Sequence, residues 1–457
     1  MDGTERNHPA ARDLQGLTAQ LLEAARRAGA DSADAIAIDG TSLSIDVRAG
    51  ALEHAERSEG VDVGLRVLLG QRSAVVSTSD VKPATLEALA ERAVAMAREA
   101  PEDPFAGLAD PSQLATGWDL DALELADPSA DPAPDALQRD ALEAEAAALT
   151  VEGVSQVQSA SASYDAQRVF LAASNGFAGG YARTARSTSC VAIAGSGLGM
   201  ERDYDGDSRT FQSDLRSPAE IGQRAATRAL DRLNPRKPKT GAYPVLFDER
   251  IASSLIGHLV AAANGASVAR GGSWLRDALG EPVLPDGISL IEDPHRPRIS
   301  GSRPFDAEGL PTQRRALVKD GVLTGWSLDL ATARKLGMAP TGNAARGTSS
   351  GPSPTAWNLE LTQGDKSPEQ LIAEMGRGLV VTSMIGATIN PNTGDYSRGA
   401  AGWWVENGEI AYPVSGVTIA GNLRQMLRAL VPSNDARPWL SRVVPSLLVE
   451  GLTLAGE

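Results

Sequence analysis

The stretch Gly394-Asp395-Tyr396-Ser397-Arg398-Gly399-Ala400-Ala401-Gly402-Trp403-Trp404-Val405-Glu406-Asn407-Gly408 decides how this chain is read. Two adjacent tryptophans stand between glycine-rich segments, and glycines permit sharp turns and close approach of another backbone. Asp395, Arg398 and Glu406 set charge beside indole faces that favour burial. Two arrangements fit these residue types. One is an antiparallel hairpin with a tryptophan-rich core face. The other is a binding surface made by Asp395, Tyr396, Arg398, Trp403, Trp404 and Asn407. On a strand, neighbouring side chains leave opposite sides, so one indole is expected in a core and the other at a groove or subunit interface.

Outward from this stretch, the carboxy-terminal half is mostly glycine-spaced strand material. It is interrupted by a helix over 248–263, with Ile251, Leu255 and Leu259 on one face, and by a helix opened by the capping signal Ser367-Pro368-Glu369-Gln370. The amino-terminal half begins with a helix carrying Leu14, Leu17, Leu21 and Ala25, stopped at Gly29. Short strands over 35–39, 43–48, 61–69 and 74–77 are separated by Gly40, Gly50, Gly60 and Gly70 and predict a meander. A helix between Pro83 and Pro101 follows, then an Asp/Ala/Pro-rich segment over 119–135 that reads as a solvated connector. Another helix runs through Leu137 and Ala148, longer strands lie over 157–164 and 184–193, and Ser217-Pro218-Ala219-Glu220 caps a helix to Leu233. The expected fold class is therefore α+β. An α/β domain over 1–233 is joined by a basic, proline-containing linker over 234–241 to a β-rich, barrel-like domain over 242–457.

Composition narrows the function. A chain of 457 residues with 42% hydrophobic content can fill two or three cores. Its net charge of −15 opposes a phosphate-binding face, so no direct nucleic-acid partner is expected. A single cysteine, Cys190, rules out an internal disulfide. No apolar run approaches the ~20 residues of a membrane span. Residues 1–8 lack the basic start and apolar centre of a secretion signal, and a cytoplasmic protein is expected.

Catalytic patterns are sparse. The histidines are His8, His54, His258 and His295, and no two can share a helical turn as a zincin requires. His258, alone on an apolar helix, reads as a packed or capping residue. Gly195-Ser196-Gly197-Leu198-Gly199 follows a strand but precedes the charged Met200-Glu201-Arg202-Asp203-Tyr204-Asp205, which suits a strand-turn better than a dinucleotide loop. Gly265-Ala266-Ser267-Val268-Ala269 follows a helix, unlike a nucleophile elbow, and Asn264-Gly265 reads as a helix stop. Cys190 has no basic neighbour in sequence and reads as a buried strand residue. Glu201, Asp203, Asp205 and Asp207 alternate, but Gly206 is misplaced for a Ca²⁺ loop and the bidentate Glu is missing. A charged turn pairing Arg202 or Arg209 is expected instead.

The tryptophan stretch, with Gly408-Glu409-Ile410-Ala411-Tyr412-Pro413-Val414 and Thr418-Ile419-Ala420-Gly421-Asn422-Leu423 after it, closely resembles the TldE (PmbA) branch of the TldD/TldE metallopeptidase family. The resemblance extends to Gly64-Leu65-Arg66-Val67-Leu68, Ser77-Thr78-Ser79-Asp80, Gly257-His258-Leu259, Ser302-Arg303-Pro304-Phe305-Asp306 and Asp320-Gly321-Val322-Leu323, covering most of the chain from about residue 20 onward. It implies a subunit that partners a TldD-type metallopeptidase in trimming or degrading peptides and unfolded chains; the family also carries the label of a DNA gyrase modulator. The TldD-type partner has His-Glu-x-x-x-His on the helix corresponding to 248–263, where this chain has His258 followed by Leu259. Asn343, in Thr341-Gly342-Asn343-Ala344, stands where the family wording resembles Thr-Gly-His-Ala. The resemblance therefore implies no metal, cofactor or catalytic residue in this chain, and zinc in the TldD-type partner. Extended peptides would bind a β-rich wall by strand addition. A stand-alone, homo-oligomeric peptide-binding or scaffold protein is the alternative, as is, less directly, a peptidase with a site of its own.

Overall fold

The computed structural model describes residues 12–129 and 131–457, so the polar stretch 1–8, with His8, lies outside the described residues. Helix α1 (Leu14–Ala28) starts where the Asp13 carboxylate accepts the Gly16 N–H and ends at Gly29, which takes the left-handed conformation at φ 97°. Strands β1 (Ser32–Arg48), β2 (Ala51–Leu69) and β3 (Arg72–Thr78) follow, then α2 (Pro83–Glu99) and α3 (Pro134–Leu149). Next come β4 (Val154–Ala173), β5 (Ala178–Ala194), β6 (Glu201–Arg209) and α4 (Pro218–Asp231). The six strands make one antiparallel sheet in the order β3-β2-β1-β4-β5-β6.

The expected meander of short strands is corrected here. Gly40 and Gly60 do not break strands; they face each other in mid-ladder within the long β1–β2 hairpin. A Cβ on Gly40 would lie 3.1 Å from the Ala166 carbonyl on β4, so a close strand approach rather than a turn accounts for this glycine. The chain reverses instead at Ala49-Gly50, both with positive φ.

Alternation along β1 organises the layers. Ala33, Ala35 and Ala37 pack with α1 and α2, while Leu43, Ile45 and Val47 pack with α3 and α4. All six are odd-numbered, so the four helices cover one face of the sheet. On the opposite face, Ile36 and Leu171 meet Phe177 and Phe305, the last from the carboxy-terminal half. The acidic segment over 119–135 is docked rather than a free connector. It holds a helical turn, Leu120–Leu123, and buries Leu123 and Leu125. The Asp127 carboxylate accepts the Gln212 N–H at 2.8 Å, and Tyr164 donates to Asp131 at 2.6 Å. Two leucines among the acids suffice as anchors because their carboxylates find donors on the domain surface.

The second half contains β7 (Gly241–Phe247), α5 (Glu249–Ala262), α6 (Pro368–Met375), β8 (Gly378–Ile389), β9 (Asp395–Glu406), β10 (Glu409–Asn422) and β11 (Leu447–Ala455). β10, β9, β8, β7 and β11 are neighbours in that order, and β10 also pairs with β11, closing a five-stranded barrel. The expected barrel-like, β-rich half is present. Closure removes the free edges that an open sheet would expose. A smaller sheet, including Leu290–Glu292, Arg315–Lys319 and Leu359–Leu361, shares its core with the barrel interior and α5. β9 and β10 are joined by Asn407-Gly408, at φ 54° and 79°, the pair of positive angles a two-residue hairpin turn of matching twist requires. Asn264 both follows α5 and caps the short helix Gly265–Ala269, accepting the Ala266 N–H at 3.0 Å.

Candidate binding cleft between the domains

The six residues singled out on β9 and its turn do not converge. Trp404 is 1% exposed inside the barrel, with its ring 5.0 Å from Tyr243 and 6.4 Å from Tyr412. Trp403, on the outer face, is half-buried against Leu246, Val380 and Met375, and lines a cleft of about 760 Å³. Tyr396 is buried in the barrel core, its hydroxyl 3.2 Å from the Met384 sulfur. Asp395 is exposed and bonded to Thr393 and Asn422, and Arg398 donates to the Gly386 carbonyl at 2.6 Å. Asn407 supplies the hairpin turn. Of this set, Trp403 lines the cleft.

The opposite wall of the cleft is built by β6 and α4. Asp203, Asp205 and Asp207 alternate on one strand, so their side chains leave the same face and are buried. There they meet arginines instead of forming a turn. Arg216 and Arg228 each reach Asp205 at 2.7 Å, and Arg232 lies 3.4 Å from Asp203. Arg250, on α5 across the cleft, is 3.3 Å from Asp203, so this pair ties the two halves together. Arg209 pairs with Asp207 at 3.0 Å, whereas Arg202 bonds to Gln158. The paired carboxylates have no spare lone-pair set arranged for a cation.

Trp439 was not singled out by sequence. It is 39% exposed, lies 4.5 Å below the Arg209 guanidinium and lines both this cleft and a neighbouring cavity of about 610 Å³. A single tryptophan in an irregular segment has no periodicity to reveal it. A signal for the ionic wall did exist. Arg224, Arg228 and Arg232 recur every four residues, one helical stripe matching the alternating carboxylates. Trp403, Trp439, Ile410 and Ile372 stand among a mainly charged lining, so the cleft can hold a polar chain segment that sets an apolar side chain against them. Strand addition is restricted. β9 is paired on both sides, and on edge strand β6 the Tyr204 and Gly206 carbonyls already accept from Arg228 and Arg216.

The α5 helix carries His258, whose ring lies 5.9 Å from Tyr396 and whose buried Nε2 has no hydrogen-bond partner among the described residues. Burial, then the charge of Arg398, holds its pKa below the ordinary imidazole value. Among the described residues no three His, Cys, Asp or Glu side chains are gathered as a metal site. One imidazole beside a phenol does not fit zinc, which needs several nitrogen, sulfur or carboxylate donors. Asn343 is buried and donates to Glu292 and to the Thr355 carbonyl, each at 2.8 Å. Cys190 is fully buried on β5, and burial, with Glu145 and Asp205 adding to it, pushes its thiol up to about 12. It is no thiolate nucleophile at neutral pH.

On β1 and β2, away from the cleft, a second ionic cluster ties the halves together. Arg66 on β2 donates from Nε to Asp34 on β1 at 2.8 Å, and Arg346 pairs with the same carboxylate from the other half. Close by, burial first and Asp306 second hold the Glu308 carboxyl well above its usual range, against the opposing pull of Arg66. A carboxyl raised in the folded state favours folding most below its unfolded value and costs stability as pH rises toward the folded value. Glu308→Gln should therefore raise the melting temperature at pH 8 and change it little at pH 4.5, as followed by calorimetry. A larger gain at the lower pH would reverse the assignment.

Residues 33–97, 126–233 and 240–456 match, in turn, domain 1, the central domain and the C-terminal domain of the PmbA/TldA metallopeptidases. The chain belongs to the PmbA/TldD family. It is 39% identical over 430 residues to Metalloprotease PmbA of Escherichia coli O157:H7, covering 93% of each chain. Identity to the Metalloprotease PmbA homolog of Haemophilus influenzae is 36% over 449 residues, 97% of this chain and 96% of that one. In structure it is similar to a putative modulator of DNA gyrase from Bacteroides thetaiotaomicron, with TM-score 0.90 and 29% identity over 97% of this chain and 99% of the other. TldE from Thermococcus kodakarensis shares the fold at TM-score 0.84 and 21% identity, over 96% of this chain and 100% of that one. Within the PmbA/TldD family fold, no helix among the described residues is long and apolar enough to cross a membrane.

Proposed function

We propose that this chain is a TldE-like, non-catalytic subunit of a cytoplasmic TldD/TldE-type metallopeptidase, supplying groove and interface while a TldD-type partner carries zinc and cleaves extended peptides. The observation that carries the reading is α5, where among the described residues His258 stands without a second imidazole or a neighbouring carboxylate, while a cleft lined by Trp403 and Trp439 is nonetheless built at the amino-terminal end of the same helix. Substrate is held by side chains along the cleft rather than by a strand added to the barrel. The purified chain alone should hydrolyse no peptide and hold no stoichiometric zinc, whereas mixing with a His-Glu-x-x-x-His partner should restore hydrolysis. Peptide cleavage by the isolated chain, or one tightly held zinc per chain, that is lost on His258→Ala would overturn it.

Trp403→Ala is expected to cost about 1–2 kcal/mol of stability, because the indole is half-buried, and to weaken partner or peptide binding at least tenfold. Titration of the folded variant with partner and with peptide checks this; unchanged affinity for both removes Trp403 from the site. The name of the Bacteroides relative does not extend to DNA contact by this chain. Its basic segment is partly spent, Arg236 lying 5.1 Å from the Tyr412 ring. Duplex DNA should not be retained in a gel shift near physiological salt, and salt-sensitive micromolar retention would contradict this.

A further inference from the structure

Away from the interdomain cleft, a cavity of about 220 Å³ lies between the uncovered face of the amino-terminal sheet and the segments around Arg303 and Trp357. Ile38, Val169, Tyr181 and Trp357 give it apolar and aromatic walls, and Gln167, Asp306, Arg346 and Arg303 are its polar members. Arg346 is spent on Asp34, which leaves Arg303. Its guanidinium sits 5.2 Å from the Trp357 ring, and one nitrogen, Nη1, donates to the carbonyls of Ser300 and Ser302 at 3.1 and 2.8 Å. Its Nε and Nη2 make no hydrogen bond among the described residues, and the side chain is half-buried.

A second guanidinium stands beside it. Arg183 donates to the same two carbonyls, at 2.6 Å to Ser300. Neither arginine has a carboxylate ion-pair partner among the described residues. Arg296, Arg334 and Arg424 also donate to backbone carbonyls alone, but here two such guanidiniums share the same pair of carbonyls and so stand side by side. Their mutual cost is visible in Arg183, brought down to about 10 by burial first and by the charge of Arg303 second. The acid on the cavity wall, Asp306, forms no ion pair with either arginine among the described residues. Both its oxygens are engaged by backbone N–H groups, those of Glu308, Leu310 and Ala344, at 2.9–3.0 Å.

We propose that this cavity binds an α-carboxylate joined to an apolar side chain, from a free amino acid or from the end of a peptide, with the carboxylate on Arg303 and the side chain between Tyr181, Ile38 and Trp357. Its chemistry follows from the lining. A planar guanidinium with an unused edge matches a carboxylate in a two-point contact, and a neighbouring cation strengthens the attraction. The aromatic and branched walls reward an apolar body, whereas a phosphate would be stripped of water against them without enough donors to replace it. The space exceeds the roughly 150 Å³ known to admit a benzene ring, so one aromatic side chain fits. This site is separate from the cleft and independent of whether the chain has a catalytic partner.

Calorimetric titration of the full chain with 3-phenylpropionate, its neutral amide, and Ala-Ala-Phe with either a free or an amidated carboxy terminus tests it. At least one of the two carboxylates should bind with one-to-one stoichiometry, its amide at least tenfold more weakly. Binding of the free-acid tripeptide assigns the site to chain ends, and binding of 3-phenylpropionate alone assigns it to small acids. Arg303→Met, and separately Ile38→Trp to fill the space, should each weaken binding tenfold or more. Either variant, if folded by circular dichroism, is sufficient. The proposal is overturned if neither carboxylate binds at millimolar concentration, if the amides bind equally well, or if a folded variant binds as the parent does.

Discussion

Replacing Trp404 by Ala should destabilise the barrel by about 3–5 kcal/mol, the range for deleting a large, fully buried aromatic side chain. The indole is 1% exposed and packs edge-on against Tyr243, with Tyr412 stacked beyond it and the Arg377 guanidinium 5.6 Å away. Truncation opens a void lined by rings that cannot collapse, because their backbones are fixed in strands of a closed barrel. Urea unfolding followed by far-ultraviolet dichroism measures the loss. Trp404→Phe should recover about half of it. If Trp404→Ala melts with the parent while Trp403→Ala does not, the inward and outward assignments are exchanged.

Asp34→Ala is expected to cost a similar 3–5 kcal/mol, for a different reason. Asp34 and Arg66 face each other across the β1–β2 ladder, and Arg346 reaches them from the second half of the chain with a fully buried side chain. Removing the carboxylate leaves two guanidiniums buried without their counter-charge. Burial by itself would raise the Asp34 carboxyl; Arg66 and Arg346 more than offset this, and the net shift is downward. For a carboxyl lowered in the folded state, the stabilisation is complete above the unfolded value near pH 4 and is lost as pH falls through the folded one. The stability gap between parent and variant should therefore be constant from about pH 5 to 8 and narrow in acid. Denaturant midpoints across that range test it. A gap that widens below pH 4 would mean that Asp34 is not the charged partner.

The positions of the helices were legible because their signals are local. Ser217 and Ser367 accept the N–H three residues ahead, from Glu220 and Gln370, and proline follows each at the first helical position. Gly40 and Gly60 misled because a glycine that ends a strand and one that lets a neighbouring strand approach look alike in sequence. The acidic alternation over 201–207 suggested a turn for a related reason. A strand with three buried carboxylates is unfavourable until the arginines of α4 and α5 are placed against it, and those lie up to 47 residues further along the chain.

Strand alternation determined that Trp403 and Trp404 leave opposite sides, and the positions of the four histidines determined that no two share a helical turn. Which indole enters the core was decided by closure of the barrel, through the β10–β11 pairing and the parallel pairing of β7 with β8, which sets the parity of every inward residue. The cleft, the cavity at Arg303 and the Arg346–Asp34 pair, 312 residues apart in sequence, likewise exist only after the two halves dock. Backbone geometry fixes periodicity residue by residue, whereas burial, charge pairing and cavities are properties of surfaces that distant segments make together.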